Sequence, residues 1–367
     1  MAPPVIVGLS GGVDSAVAAL LLKDAGHEVQ GLFMSNWEED EDGYCTAAED
    51  FQDARRVCTE IGIPLHRVSF ASEYRDRVFA HFLAEYAAGR TPNPDVLCNR
   101  EIKFGVCFDY ARRLGAGRFA TGHYARTGSR ADGSATLLRS RDRAKDQSYF
   151  LHALGQGQLA RALFPIGDLQ KPEVRRIARE RGLPVFDKRD STGICFIGER
   201  PFAQFLESYL PAQPGRIESP EGELLGEHRG LMFYTLGQRA GLGLGGRRGA
   251  AEAPWYVAAK DVARNVLVAA QGHENPLLMS AGLATEPVSW IAGREPAMDF
   301  CCTAQFRHRQ RDVACRVTVR PGGGAEVAFE APQRAVTPGQ YAVFYQDDEC
   351  LGGAVISCPR AVTAPTK

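Results

Sequence analysis

Between Pro4 and Ala125, short β-branched apolar runs alternate with stretches of helical period. "PVIVGLS", "EVQGLFMSN", "LHRVSF" and "RFATGHYA" have the length and composition of buried strands. Among them lie "DSAVAALLLKDAG", closed by Gly26, and "TAAEDFQDARRVCTEIG", where Thr46 as cap and Glu49 three residues on form a capping-box pattern. "EYRDRVFAHFLAEYAAG" and "FGVCFDYARRLG" complete the helices, and "RTPNPDVLCNREIK" between them reads as an extended loop stiffened by its two prolines. Strict alternation constrains the fold severely. Each crossover helix returns the chain to the same end of the sheet, so the strands run parallel and helices cover both faces. An α/β fold with a parallel sheet is predicted here.

The pattern then changes. Residues 126–138 read as a hairpin around "ADGS", and "KPEVRRIARERGLP" (171–184) as a basic helix. "PFAQFLESYL" is a further helix with Pro201 in its first turn. Beyond it, short strands and Gly/Pro turns dominate. We divide the chain into residues 1–202, a small β-rich central domain at 203–275, and a β-barrel or sandwich at 276–367, with strands such as "ACRVTVRP", "AEVAFE" and "YAVFYQ".

Composition narrows the function. The 367 residues carry a net charge of −1, so a nucleic-acid surface has to be a local patch. The ten cysteines form no C-x-x-C pair, which argues against a zinc ribbon. No signal peptide is expected, and the chain contains no apolar run near the ~18 residues of a membrane span. A cytoplasmic protein with reduced thiols is expected.

"GLSGGVDS" (Gly8 to Ser15) follows the first strand and opens the first helix, where backbone N–H groups favour an anion. A Walker loop requires Gly-Lys, and the chain has none. "SGGVDS" resembles instead the PP-loop of adenine nucleotide alpha hydrolase-like enzymes, which implies ATP whose pyrophosphate departs. Asp14 suits the accompanying Mg²⁺, an ion that takes carboxylate and phosphate oxygens. "GLGLGG" (241–246) formally fits a dinucleotide fingerprint, but it neither follows a suitable strand nor opens a helix.

Cys98 and Cys195 lie in turn-rich segments, "TPNPDVLCNREIKF" and "DSTGICFIGER". Arg100 and Lys103 follow Cys98, and such neighbours favour a thiolate. Together with "TGHYA", "KDQSYFL" and "YTLGQRAGLGLGG", these segments resemble the bacterial tRNA-specific 2-thiouridylases from Val5 to about Ile356. The resemblance implies a PP-loop domain, a small central domain and a C-terminal β-barrel. It implies ATP binding at Gly8, Leu9, Ser10, Gly11, Gly12, Val13, Asp14, Ser15, Met34 and Gly122. It places the target uridine on Asn93, Pro94 and Asp95, a persulfide on Cys195 and a nucleophile on Cys98. It assigns tRNA contacts to Lys145, Asp146 and Gln147, and to Arg307 and His308 where the family commonly has Arg-Tyr. The implied activity is ATP-dependent 2-thiolation of the wobble uridine: adenylation of the uracil 2-oxygen, then sulfur transfer. The sulfur would come from a persulfide donor such as a cysteine desulfurase or a sulfur-relay protein.

Three locally basic segments fit an RNA surface: "RSRDRAKDQ" (139–147), "KPEVRRIARERG" and "FRHRQRD" (306–312). Two other readings of the residues stay open. Another PP-loop ATP pyrophosphatase, a ligase or amidotransferase, would need neither loop cysteine; an RNA-binding module would need no intact "SGGVDS". An iron–sulfur cluster on Cys98, Cys195 and a carboxylate is a further route to sulfur.

Overall fold

The computed structural model describes residues 3–37, 47–190, 202–244 and 253–362. Seven strands lie in the N-terminal part: β1 (Val5–Leu9), β2 (Val29–Ser35), β3 (Leu65–Ser69), β4 (Arg118–Thr121), β5 (Ala125–Ser129), β6 (Ala135–Arg139) and β7 (Ala162–Leu163). Five of them form a parallel sheet in the order β3-β2-β1-β4-β7. The expected parallel α/β fold is present. The fifth strand, β7, has two residues, too few for any periodicity to announce it.

Alternation along β1 explains the two covered faces. Ile6 points into a core with Leu32, Phe82 and Phe119, whereas Val5, Val7 and Leu9 meet the helices α1 (Val13–Asp24) and α2 (Ala47–Ile61). Each such side chain contributes about 1.5–3 kcal/mol on full burial. α1 is buried on nearly every side, because the helix Lys171–Glu180 covers it with Val174 and Ala178. β1 lies between β2 and β4, so the chain order reverses beside it. Crevices at such reversals open at the carboxyl ends of the strands, which here end at Leu9 and Thr121.

The segment read as an extended loop is helical instead. Pro94–Leu97 forms a helical turn, Cys98–Val106 a widened π segment and Cys107–Arg113 an α-helix. Asn93 caps this helix: its Oδ1 accepts from the Asp95 N–H at 3.2 Å, and Pro94 occupies the first turn, where its missing N–H costs nothing. Gly105 interrupts the run with φ −99° and ψ −109°. The proline that suggested an extended loop is thus a helix start. The cap proposed for Thr46 and the first-turn role of Pro201 lie outside the described residues; the latter helix is seen over Phe202–Glu207.

The central part holds β8 (Gly215–Glu218), β9 (Leu224–His228), β10 (Trp255–Asp261) and β11 (Val266–Gln271), ordered β10-β11-β8-β9 around Ile217, Val257 and Leu267. Seven more strands follow: β12 (Met279–Thr285), β13 (Ser289–Trp290), β14 (Asp299–Gln305), β15 (Val313–Val319), β16 (Ala325–Arg334), β17 (Tyr341–Gln346) and β18 (Glu349–Ala361). Six of them close a barrel, β12-β16-β15-β14-β17-β18 and back to β12. The length of β18 closes it: Glu349–Val355 pairs with β17, and Ile356–Ala361 with β12.

The hairpin β5–β6 does not stay with its own domain. Leu137 and Leu138 of β6 pair with Cys350 and Glu349 of β18, extending the barrel sheet. Ion pairs fasten this join. Arg126 reaches Asp348 at 2.7 Å, Arg130 pairs with Glu349, and Arg143 pairs with Asp348.

Candidate active site

Two hydroxyls staple the glycine loop. The Ser10 N–H donates to Ser15 Oγ at 3.2 Å, and Ser15 Oγ donates to the Gly12 carbonyl at 3.0 Å. The Gly12 N–H leans on Ser10 Oγ at 3.4 Å. Gly12 is the N-cap of α1 and brings no capping side chain, leaving the start of the helix to an anion. Gly11 has φ +74° and lies against the Asp50 backbone, where a Cβ would collide. Gly122, just beyond β4, approaches the same helix start: a Cβ there would sit 2.5 Å from Ser15 N and 2.6 Å from Asp14 C. Leu9 and Val13 are buried, and Met34 is half-buried at the end of β2. The residues expected at the nucleotide therefore share one edge of the sheet. Gly122→Ala is expected to push that edge apart and weaken ATP binding about 10-fold or more, readable by calorimetry.

The lysine missing from the loop arrives from elsewhere. Lys171, the first residue of the helix Lys171–Glu180, is buried and places its ammonium 2.8 and 2.9 Å from the two Asp14 carboxylate oxygens. The same Nζ lies 2.7 Å from Asp190, which also accepts from Lys145 at 2.8 Å and Arg175 at 3.0 Å. Burial pushes the Asp190 carboxyl up, but hydrogen bonds from Lys145 and Lys171 outweigh it and hold the group at about 2. Tyr124 donates its hydroxyl to Asp14 at 2.9 Å, and burial together with that carboxylate raises the phenol far above its ordinary value. Asp14 and Asp190 thus converge on a single cation, a pair of hard oxygen donors that suits Mg²⁺. Among the described residues, no group of three or more His, Cys, Asp or Glu side chains is placed to hold a metal.

Cys98 begins the π segment and is 2% exposed. Lys103, on the same segment, acts electrostatically on Asp95, Cys107 and His123. Burial raises the Asp95 carboxyl against the pull of Lys103, and it raises the Cys107 thiol to about 12. His123 is kept neutral by burial and by Lys103, with Nδ1 2.7 Å from Thr121 Oγ1. His123 adjoins Gly122, so the charge of Lys103 spans the cysteine helix and the nucleotide edge. Cys195 lies outside the described residues, as do Cys45 and the end of "GLGLGG".

The two segments expected at tRNA meet across the domain boundary. His308 Nε2 lies 3.2 Å from the Asp146 carbonyl, and its ring packs 4.4 Å from that of Phe150. Arg307, at the exposed turn, donates to the Ala335 carbonyl at 2.6 Å. The Asp146 carboxylate turns inward to the Ser140 N–H at 2.8 Å and Ser148 Oγ at 2.7 Å. Gln147 exchanges hydrogen bonds with the Tyr124 backbone, accepting at 2.9 Å through Oε1 and donating at 2.8 Å through its N–H. One arginine of the basic patch around them is spent inside the molecule. Arg139 is buried, lies 3.6 Å over the Tyr345 ring and reaches Asp312 at 2.7 Å.

Family models match most of the chain. One described as tRNA methyl transferase HUP domain covers residues 3–199, one described as tRNA methyl transferase PRC-barrel domain covers 203–271, and one described as aminomethyltransferase beta-barrel domain covers 280–356. The tRNA-specific 2-thiouridylase MnmA of Chromohalobacter salexigens is 61% identical over 354 residues, 96% of this chain and 92% of that one. The chain belongs to the tRNA-specific 2-thiouridylase family. The MnmA of Marinobacter nauticus is likewise 61% identical, over 96% of this chain and 90% of its own length. A solved U34-tRNA thiolase, NcsA from Methanococcus maripaludis with its [4Fe-4S] cluster, is 18% identical with a TM-score of 0.35, over 57% of this chain and 66% of that one, too distant to carry an argument. No helix among the described residues is long and apolar enough to cross a membrane.

No local sequence pattern marks Lys171, Asp190 or Tyr124 as partners of Asp14 and of one another. "KPEVRR" reads as a basic run suited to RNA, yet its first residue, Lys171, reaches Asp14 beside the glycine loop. The one local signal was the lysine-free loop itself, which leaves the balancing charge to be supplied from another element.

Proposed function

We propose that this enzyme of tRNA uridine thiolation works by adenylating the uracil 2-oxygen and then transferring sulfur from a cysteine persulfide. The observation that carries the first half is the arrangement at the loop: an anion-accepting helix start, glycines that admit close backbone approach, and the Lys171 ammonium held by Asp14 and Asp190. Such a site stabilises a departing pyrophosphate, where negative charge grows in the transition state. Asp14 and Asp190 would hold Mg²⁺, which neutralises phosphate charge when bound. Lys171 is then free to turn to the phosphate oxygens.

In the first step the uracil O2 attacks the α-phosphorus of ATP, the bond to pyrophosphate breaks, and the O2-adenylate forms. Asn93, Pro94 and Asp95 receive the base, which must leave its stack to reach them. In the second step the terminal sulfur of a Cys195 persulfide becomes bonded to C2, and the C2–O bond breaks to release AMP. Cys98 as thiolate attacks Cys195 Sγ, which breaks the persulfide S–S bond. The two thiols supply the two electrons that reduce the transferred sulfur, and a Cys98–Cys195 disulfide remains for a cellular thiol to reduce. A protein persulfide donor reloads Cys195. Lys145, Asp146 and Gln147, with Arg307 and His308, receive the tRNA.

The test is product analysis with purified tRNA and a persulfide donor. AMP and pyrophosphate are expected in step with 2-thiouridine; ADP as the stoichiometric product sinks the adenylation step. AMP release without tRNA would favour a ligase.

A further inference from the structure

We infer that Gly89–Thr91 is a three-domain junction that positions the uridine segment, with Lys260 and Gln340 as positioning residues. The inference rests on the reading of Asn93–Asp95 as the base contact and Cys98 as the nucleophile. Each of the other two domains grips this short stretch. From the central domain, Lys260 Nζ donates to the Gly89 carbonyl at 2.9 Å, and Thr235 Oγ1 lies 3.2 Å from Thr91 Oγ1. From the barrel side, the Thr91 N–H donates to the Pro338 carbonyl at 3.1 Å, and Gln340 Nε2 donates to the Thr91 carbonyl at 2.7 Å. The backbone N–H, the carbonyl and the hydroxyl of Thr91 are all engaged by residues outside its own domain.

Two glycines make the approach possible. Gly89 has φ +75°, and a Cβ on it would lie 2.6 Å from Val262 Cγ2. Gly339 has φ +89°, and a Cβ on it would lie 2.9 Å from Thr91 N and 3.0 Å from Thr91 O. Arg90 adds ion pairs to Glu85 and, at 3.8 Å, to Glu286 beyond β12. The Lys260 contact is desolvated: burial brings its ammonium down to about 8.

Only Pro92 separates this junction from Asn93. Proline fixes its own φ and restricts the residue before it, so the link from Thr91 to Asn93 is stiff. Asn93 in turn caps the helix that carries Asp95 and Cys98. A shift of the central domain or barrel is therefore passed to the base contacts and the thiol. Misplacement of reacting groups by about 1 Å can lower a rate about 100-fold.

The test compares Lys260→Met, Lys260→Arg and Gln340→Ala in the full chain. For Lys260→Met and Gln340→Ala, kcat for 2-thiouridine formation is expected to fall about 10- to 100-fold, with the KM for tRNA and for ATP unchanged within about two-fold. Hydrogen exchange over 89–98 should accelerate in both while the barrel strands exchange as in wild type. Lys260→Arg should restore kcat. Wild-type kcat together with wild-type exchange in both truncating variants would overturn the inference. So would a loss of kcat accompanied by faster exchange throughout the molecule, the mark of a merely structural role. Gln340→Ala decides the matter if Lys260→Met fails to fold. A wild-type enzyme that makes no 2-thiouridine would count against the proposed function instead, and exchange over 89–98 would still decide for or against the junction.

Discussion

Cys98→Ser and Cys195→Ser are each expected to end 2-thiouridine formation, and they should do so at different stages. Cys195→Ser should lose the persulfide adduct seen by intact-protein mass spectrometry after incubation with the donor. Cys98→Ser should still load that adduct, because its thiol enters only when the sulfur leaves. A hydroxyl at 98 cannot take part in the S–S exchange, whose rate depends on an attacking thiolate. Cys98 is 2% exposed, so in wild type the thiol is shielded from bulk solvent. Both variants should keep ATP binding, since neither thiol belongs to the loop of Gly8 to Ser15. One wild-type turnover without reductant should leave a Cys98–Cys195 disulfide on peptide mapping. Thiolation at the wild-type rate by Cys195→Ser would defeat the mechanism, and persulfide on Cys98 would exchange the two roles.

Lys171→Met should slow adenylation by about 10² to 10³-fold, the loss typical when one stabiliser of developing charge is removed. The ammonium is the cation shared by Asp14 and Asp190, at 2.8 and 2.7 Å. Without it Asp14 loses its ammonium partner, while Asp190 keeps Lys145 and Arg175, so ATP affinity should fall as well. tRNA affinity should change little. The effect on stability should be small beside the effect on rate, because the Asp14 and Asp190 side chains are 29% and 33% exposed and water screens them. Its pH dependence has a definite sign. Asp190 is held at about 2 in the folded protein, below an unfolded value of about 3.9. Its contribution is therefore complete above the unfolded value and is lost as pH falls through the folded one. Acid titration of Tm between those limits should be shallower in Lys171→Met. Single-turnover AMP release at the wild-type rate would show that Lys171 only braces the loop.

How much was legible depends on how local each signal was. "SGGVDS" announces a glycine turn and a helix start within six residues, because such a turn needs no distant partner. The strand–helix alternation likewise announced the parallel sheet, since a short apolar run marks each of its longer strands separately. Other features misled for the same reason. Pro92 and Pro94 read as extended backbone, and only the Asn93 cap shows that Pro94 starts a helix. Arg139 reads as RNA-facing charge, but it is buried and the barrel supplies Asp312 for it.

By itself, then, the sequence determined the α/β class and the glycine loop between the first strand and the first helix, both of which rest on short-range pattern. Tertiary structure alone decided that Lys171 meets Asp14, that β6 joins β18, and that Thr91 is held by two other domains. Those contacts join residues far apart in the chain, and a charge or a hydrogen-bonding group has no periodicity by which to name its partner. Chain closure over such distances is set by how the sheets and the barrel pack, and the packing exists only once the whole core has formed.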